Sequence, residues 1–143
     1  QRAFAEYDVV GFYSDYYPWE SYVDAWAQKY GAQLCAKASG RNRVAWDMRG
    51  RQRESTQMAE AMHNAILERT MSHDGNTVAS QHVYNARRRP NQYGVTFGKE
   101  HRESARKVDW LAAAMLARQA RQDYMILPDK QKRRHRTGRA VFA

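Results

Sequence analysis

The stretch Tyr7-Asp-Val-Val-Gly-Phe-Tyr-Ser-Asp15-Tyr-Tyr-Pro18-Trp19 decides the fold, because it ends an apolar run in an acid where a helix is about to begin. Val9 to Tyr13 is β-branched and aromatic without charge, which is the composition of a central parallel strand covered on both faces. Pro18 suits the first helical position, where its missing N–H costs nothing. Asp15 is therefore expected at the carboxyl end of a strand, the edge at which open α/β sheets collect ligands, and it is a candidate site.

Downstream, Trp19, Tyr22, Val23, Trp26, Ala27 and Tyr30 recur with helical spacing and give one face lined with large rings. Such a stripe is expected to face a core, with base stacking as its other use. Gly31 is expected to end this helix as a left-handed cap. Ala32 to Ala36 reads as a second short strand, so strand–helix–strand implies a right-handed parallel crossover. Lys37 to Arg53 holds two glycines, six Lys or Arg residues and no period. It reads as an exposed basic loop, either tracking a phosphate backbone or simply solvated.

Met58, Ala61, Met62, Ala65 and Ile66 predict a packed amphipathic helix from about Glu54 to Thr70. Ser72-His-Asp-Gly-Asn76 is a turn, with Asp74 as a turn residue and Asn76 as the N-cap of a helix from Thr77 to about Arg87. Arg87, Arg88 and Arg89 before Pro90 place positive charge at the negative end of that helix. Tyr93 to Lys99 alternates as an edge strand. A last helix is expected from near Ser104 to about Tyr124, with Val108, Leu111, Ala112, Met115 and Leu116 buried. Asp109 lies in its first turns, where the helix dipole alone favours a carboxylate by ~0.3–1 kcal/mol. From Asp129 to Arg139 the chain is mostly basic, so residues 127–143 read as a mobile tail after a domain spanning 1–126.

Composition narrows the partners. A formal charge of +9 over 143 residues, with a pI near 9.9, favours a polyanion, with nucleic acid ahead of membrane. The one cysteine, Cys35, lies in an apolar run and reads as a small buried hydrophobe in a reducing compartment. No apolar run approaches a membrane span, and a soluble intracellular protein is expected. His63, His73 and His82 lack tight ligand spacing, which argues against zinc.

Taken as an ordered set, Tyr7 to Asp15 with Trp19, His73 to Asn76, Asn85-Ala-Arg87, Gly98-Lys99 and Lys107-Val-Asp109 with Ala113 resemble the C-terminal nuclease domain of a tailed-phage or prophage terminase large subunit. The resemblance covers about Tyr7 to Ala120. It implies an α/β, ribonuclease H-like fold whose carboxylates hold two divalent metals. Asp15 matches the acid at the end of the family's fourth strand, and Asp109 the acid on its closing helix. Both are thus expected as catalytic metal ligands, converging on Mg²⁺ or Mn²⁺ to hydrolyse phosphodiesters.

The same resemblance implies a hydrolase that cuts concatemeric DNA during packaging in the host cytoplasm, alongside the terminase ATPase domain, small subunit and portal. Arg87, Arg88, Arg89, Lys99 and Lys107 are the expected contacts to double-stranded DNA. The family's first acid belongs to an opening strand that this sequence does not contain, and no Gly-x-x-x-x-Gly-Lys-Ser/Thr loop occurs. The fold is accordingly expected to be incomplete at its N-terminus, inactive alone and open to self-association through bare sheet edges. Asp74 is the first candidate for a third ligand should the chain cut by itself. The rival reading is a non-catalytic basic module that binds DNA or a packaging partner.

Overall fold

The computed structural model describes residues 2–132; Gln1 and the last part of the expected basic tail, 133–143, lie outside the described residues. In chain order come α1 (Arg2–Glu6), β1 (Ser14–Asp15), α2 (Glu20–Tyr30), β2 (Ala45–Trp46), α3 (Gln52–Leu67), α4 (Thr77–Asn85), β3 (Arg87–Asn91), β4 (Gly94–Gly98) and α5 (Asp109–Ile126). Short 3-10 turns at Gly31–Gln33 and Asp129–Gln131 complete the described elements. β1 and β2 pair in parallel, with Ser14 opposite Ala45 and Asp15 opposite Trp46. β3 and β4 form a separate antiparallel hairpin.

The parallel crossover is present, but its strands are not where periodicity placed them. The paired segment is Ser14–Asp15 rather than Val9–Tyr13. Upstream, the Val10 carbonyl accepts N–H bonds from Cys35 (2.8 Å) and Ala36 (3.0 Å). The partner strand is Ala45–Trp46, inside the expected basic loop, and Ala32–Ala36 is not a strand. Gly31 is right-handed (φ −55, ψ −38) and carries the chain on into the 3-10 turn, so it is not a left-handed cap. α2 starts at Glu20, with Trp19 and not Pro18 leading into it.

That loop is only partly solvated, for a physical reason. Ala38, Val44 and Trp46 are buried. Arg43 donates to the Gly31 (3.2 Å) and Leu34 (2.8 Å) carbonyls, and Arg51 donates to the Ala38 carbonyl (2.8 Å). Arg51 also lies over the Trp46 ring at 4.5 Å. Both guanidiniums bond to backbone acceptors of the irregular segment between α2 and β2. Asn42 acts likewise, its Oδ1 accepting from the N–H groups of Val44 and Ala45 at 2.9 Å each.

Two apolar clusters hold the molecule. Val23, Leu34 and Val44 pack beneath α2, each fully buried and each contributing about 1.5–3 kcal/mol. Tyr13, Trp46, Met58, Ala59, Met115, Leu116 and Ala120 join β1 and β2 to α3 and α5. Gly11 packs closely there: a Cβ would stand 3.1 Å from Ala36 Cβ and 3.3 Å from Ala120 Cβ, so those neighbours would have to shift. The aromatic stripe of α2 is split: Val23 and Tyr30 are buried, whereas Trp19 and Tyr22 are exposed. Ile66 is also more exposed than its spacing predicts, and Cys35 is half-buried.

In the second half, Asn76 Oδ1 caps α4, accepting from Val78 (2.9 Å) and Ala79 (3.2 Å). The arginine run, expected to close that helix, is instead the strand β3. Arg87 nonetheless donates back to the Tyr84 carbonyl (3.0 Å) at the helix's negative end. The last helix begins at Asp109, five residues later than expected from Ser104.

Candidate functional site

Asp15 closes β1, and Asp47 follows directly on the last residue of β2. Because the two strands are parallel, their carboxyl ends bring both acids to one edge, the place where α/β proteins bind ligands. Asp15 is half-buried, and the Met48 N–H donates to its Oδ1 at 3.4 Å. Burial pushes the Asp15 carboxyl above its ordinary value, and the negative charge of Asp47 adds to the rise. The N–H groups of Met48 and Tyr16 and the Arg49 guanidinium work the other way without cancelling it.

Asp47 is held by its own turn, its Oδ1 accepting from the N–H groups of Arg49 (3.0 Å) and Gly50 (2.8 Å). A Cβ on Gly50 would overlap Asp47 Oδ2, so glycine leaves that oxygen its room. Arg49 also lies over the Tyr17 ring at 5.5 Å, which keeps a cation beside the acids. Two hard carboxylates and a guanidinium thus stand at this edge, groups of the kinds that bind dications and phosphates.

Asp109 is differently placed. It is exposed at the start of α5, and the neighbouring Trp110 N–H donates to His82 Nδ1 at 2.9 Å. The acid that acts on Asp15 is Asp47, and Asp109 does not complete a cluster with them. Among the described residues, no group of three or more His, Cys, Asp or Glu side chains is arranged to hold a metal ion. Asp74 is a turn residue, its Oδ1 accepting from the Asn76 N–H at 3.0 Å. Asp47 lies in the stretch whose lack of period reads as loop; the signal for it in the sequence is Val44-Ala-Trp46, apolar and followed by an acid.

The basic residues expected to contact DNA gather around the open end of the β3–β4 hairpin, with unequal freedom. Arg89 donates to the carbonyls of Lys99 and Glu100, the latter at 2.6 Å, and Arg87 donates to those of Tyr84 and Ala86. These two guanidiniums brace backbone first. Arg88 is exposed at the rim of a 410 Å³ apolar pocket between α3 and the hairpin. The exposed Lys107 lies near the end of α4, where its carbonyl accepts from Asn85 Nδ2 at 2.9 Å.

No helix among the described residues is long and apolar enough to cross a membrane. No protein-family model matches the chain, and no solved structure matches it. Over 140 residues, 97% of its length, the chain is 42% identical to the Gene 13 protein of Mycobacterium phage D29. Over 141 residues it is 42% identical to the Gene 13 protein of Mycobacterium phage L5. It spans 23% of the length of each. The relatives of this chain are thus phage proteins.

Proposed function

We propose that this chain is part of the nuclease domain of a phage terminase large subunit, with a ribonuclease H-like fold, and that it contributes to metal-dependent cleavage of double-stranded DNA. The observation that carries the proposal is the half-buried Asp15 at the carboxyl edge of two parallel strands, with Asp47 following the end of the second. The motif order and the phage relatives support it. The donor set fits one hard dication, and Mg²⁺ or Mn²⁺ there would supply Lewis-acid activation of a phosphodiester.

Asp15 would bind the ion strongly for its size, since a carboxylate partly removed from water gains more from a nearby cation. The Met48 N–H makes only a long contact to the carboxylate, at 3.4 Å, and Arg49 would position a phosphate oxygen. A second ion needs further anionic ligands, and no group of three or more His, Cys, Asp or Glu stands among the described residues, so the chain alone should cut poorly.

The test is plasmid cleavage by a longer polypeptide carrying this chain, assayed with Mn²⁺. Asp15→Asn should reduce cleavage at least a hundredfold, and Asp47→Asn tenfold or more. Full activity of the Asp15→Asn protein would overturn the proposal. The alternative, a non-catalytic DNA-binding module, is favoured by the exposed cations Arg88 and Lys107 and by the lack of a three-acid cluster among the described residues. It predicts salt-dependent DNA binding, with log affinity falling by about 0.9 per phosphate contact per log unit of salt, and no cleavage in any context.

A further inference from the structure

Arg88 makes no hydrogen bond or ion pair with the described residues, whereas its neighbours Arg87 and Arg89 are bonded to carbonyls. Strand register explains the difference. Arg88 lies opposite Phe97, and directly opposed residues project from the same face of a sheet. Phe97 packs against the core cluster that includes Met58 and Ala59 of α3, so Arg88 stands on the α3 side of the hairpin. On that side lies the 410 Å³ pocket, a volume in the range of small-ligand sites. Its floor is the buried Ala59, Met62 and Leu111, and Val83, Val95 and Phe97 wall it.

Charge selects the occupant. Glu60 also lines the pocket, its Oε1 accepting from the Val95 N–H at 2.9 Å, and a carboxylate has capacity for further donors. Arg88 is offset from that point by two residues of β4, a step of about 7 Å. Among the described residues no ion pair joins Glu60 to Arg88. The matching ligand is apolar in its body, a neutral donor toward Glu60 and anionic toward Arg88. An aliphatic acid would leave Glu60, Asn64 and Thr96 facing hydrocarbon, which costs their hydration without replacing it. A nucleobase supplies flat faces for Met62 and Phe97, an amine or ring N–H for Glu60 and a phosphate for Arg88. The net charge of +9 favours such a polyanion over an acidic peptide. A base inside a duplex is paired and stacked, so the base that enters must be unpaired.

We infer that the pocket between α3 and the β3–β4 hairpin receives one unpaired nucleobase of a DNA strand whose phosphate lies on Arg88. The inference rests on the DNA binding that both readings above share, and adds which part of the DNA is held here.

Fluorescence anisotropy of the 143-residue chain would compare three labelled duplexes: fully paired, with one unpaired adenine, and with an abasic sugar in its place. The unpaired adenine should bind about fivefold or more tighter than both others, the scale of one stacked base. Its ratio to the abasic duplex should hold as salt rises, because both carry the same phosphates. Ile66, 38% exposed on the pocket wall, gives the blocking variant: in Ile66→Trp the indole should reduce that ratio below about twofold. Equal binding of the adenine and abasic duplexes would overturn the inference while leaving DNA binding in place, and binding to no duplex would overturn both. A preference that survives Ile66→Trp would put the base elsewhere and contradict it too. If that variant does not fold, the Met62 methyl resonance of the wild-type chain decides: it should shift with the adenine duplex and not with the abasic one. A Met62 shift with a short acidic peptide, and none with the adenine duplex, would assign the pocket to a protein partner and overturn the inference.

Discussion

Asp15 and Asp109 are the same residue type, each at a junction between elements, yet they live in different surroundings. Asp15 is half-buried beside a second acid, and burial holds its carboxyl above the usual value. Asp109 is exposed at a helix start, where the dipole favours its charge. The first carboxylate is kept at some cost to the fold, whereas the second supports it. A residue that opposes stability needs another reason to be there, and ligand binding is the usual one.

The comparison can be broken most severely through the core that α5 shares with both regions. Met115→Ala removes a fully buried side chain packed near Tyr13 and Trp46, and should cost about 2–5 kcal/mol in chemical denaturation. A loss under 1 kcal/mol would mean that α5 does not support the Asp15 edge as described.

Next in size is the bond that ties β1 to α5. The Tyr13 hydroxyl donates to Asp123 Oδ2 at 2.7 Å, and Gln119 Nε2 donates to Asp123 Oδ1 at 2.8 Å. Burial, followed by the Asp123 bond and charge, pushes the Tyr13 phenol well above its usual range. Tyr13→Phe should cost about 1.5–3 kcal/mol, because a bond to a carboxylate is lost and its partner is left short of donors. On the Asp109 side, His82→Leu removes the acceptor for the Trp110 N–H and should cost only about 0.5–1.5 kcal/mol. Equal losses would erase the contrast between the two regions.

The smallest effects differ in sign. Asp109→Asn should lower stability by about 0.3–1 kcal/mol through the lost dipole interaction. Asp15→Asn should raise it at neutral pH. With a folded pKa above the ordinary 3.8, the ionised Asp15 disfavours folding at pH values above its folded pKa. That penalty fades as pH falls through the folded pKa and is gone below 3.8, so the advantage of the Asn variant should vanish over the same window. Solvent on the exposed side of the carboxyl keeps the effect small. Denaturation midpoints from pH 7 down to pH 3 would check both signs.

How much of this could be read in the sequence depends on what each segment's residues had to satisfy. Helices with long apolar periods, such as Gln52–Leu67 and Asp109–Ile126, were legible because one face must be buried. The Asn76 cap was legible because its side chain serves its own turn. The β1–β2 pair was misplaced because each strand is only two residues long, too short for a period to register. Arg43 and Arg51 read as part of an exposed basic loop, whereas they donate to carbonyls of the irregular segment between α2 and β2. Asp15 was placed correctly at a strand end. Asp47 was hidden, because its role depends on a strand pairing that local sequence does not encode.

The most direct test of the account is a carbon-13 NMR titration of the Asp15 carboxyl, with and without Mg²⁺. Without the ion, the titration midpoint should lie above 3.8, as burial and Asp47 require. With Mg²⁺ it should fall, since a bound dication favours the ionised carboxylate, and Asp47→Asn should weaken that response. A midpoint that Mg²⁺ leaves unmoved, or a response at Asp109 in place of Asp15, would contradict the claim that the carboxyl edge of β1 and β2 is the metal-binding part of a nuclease site.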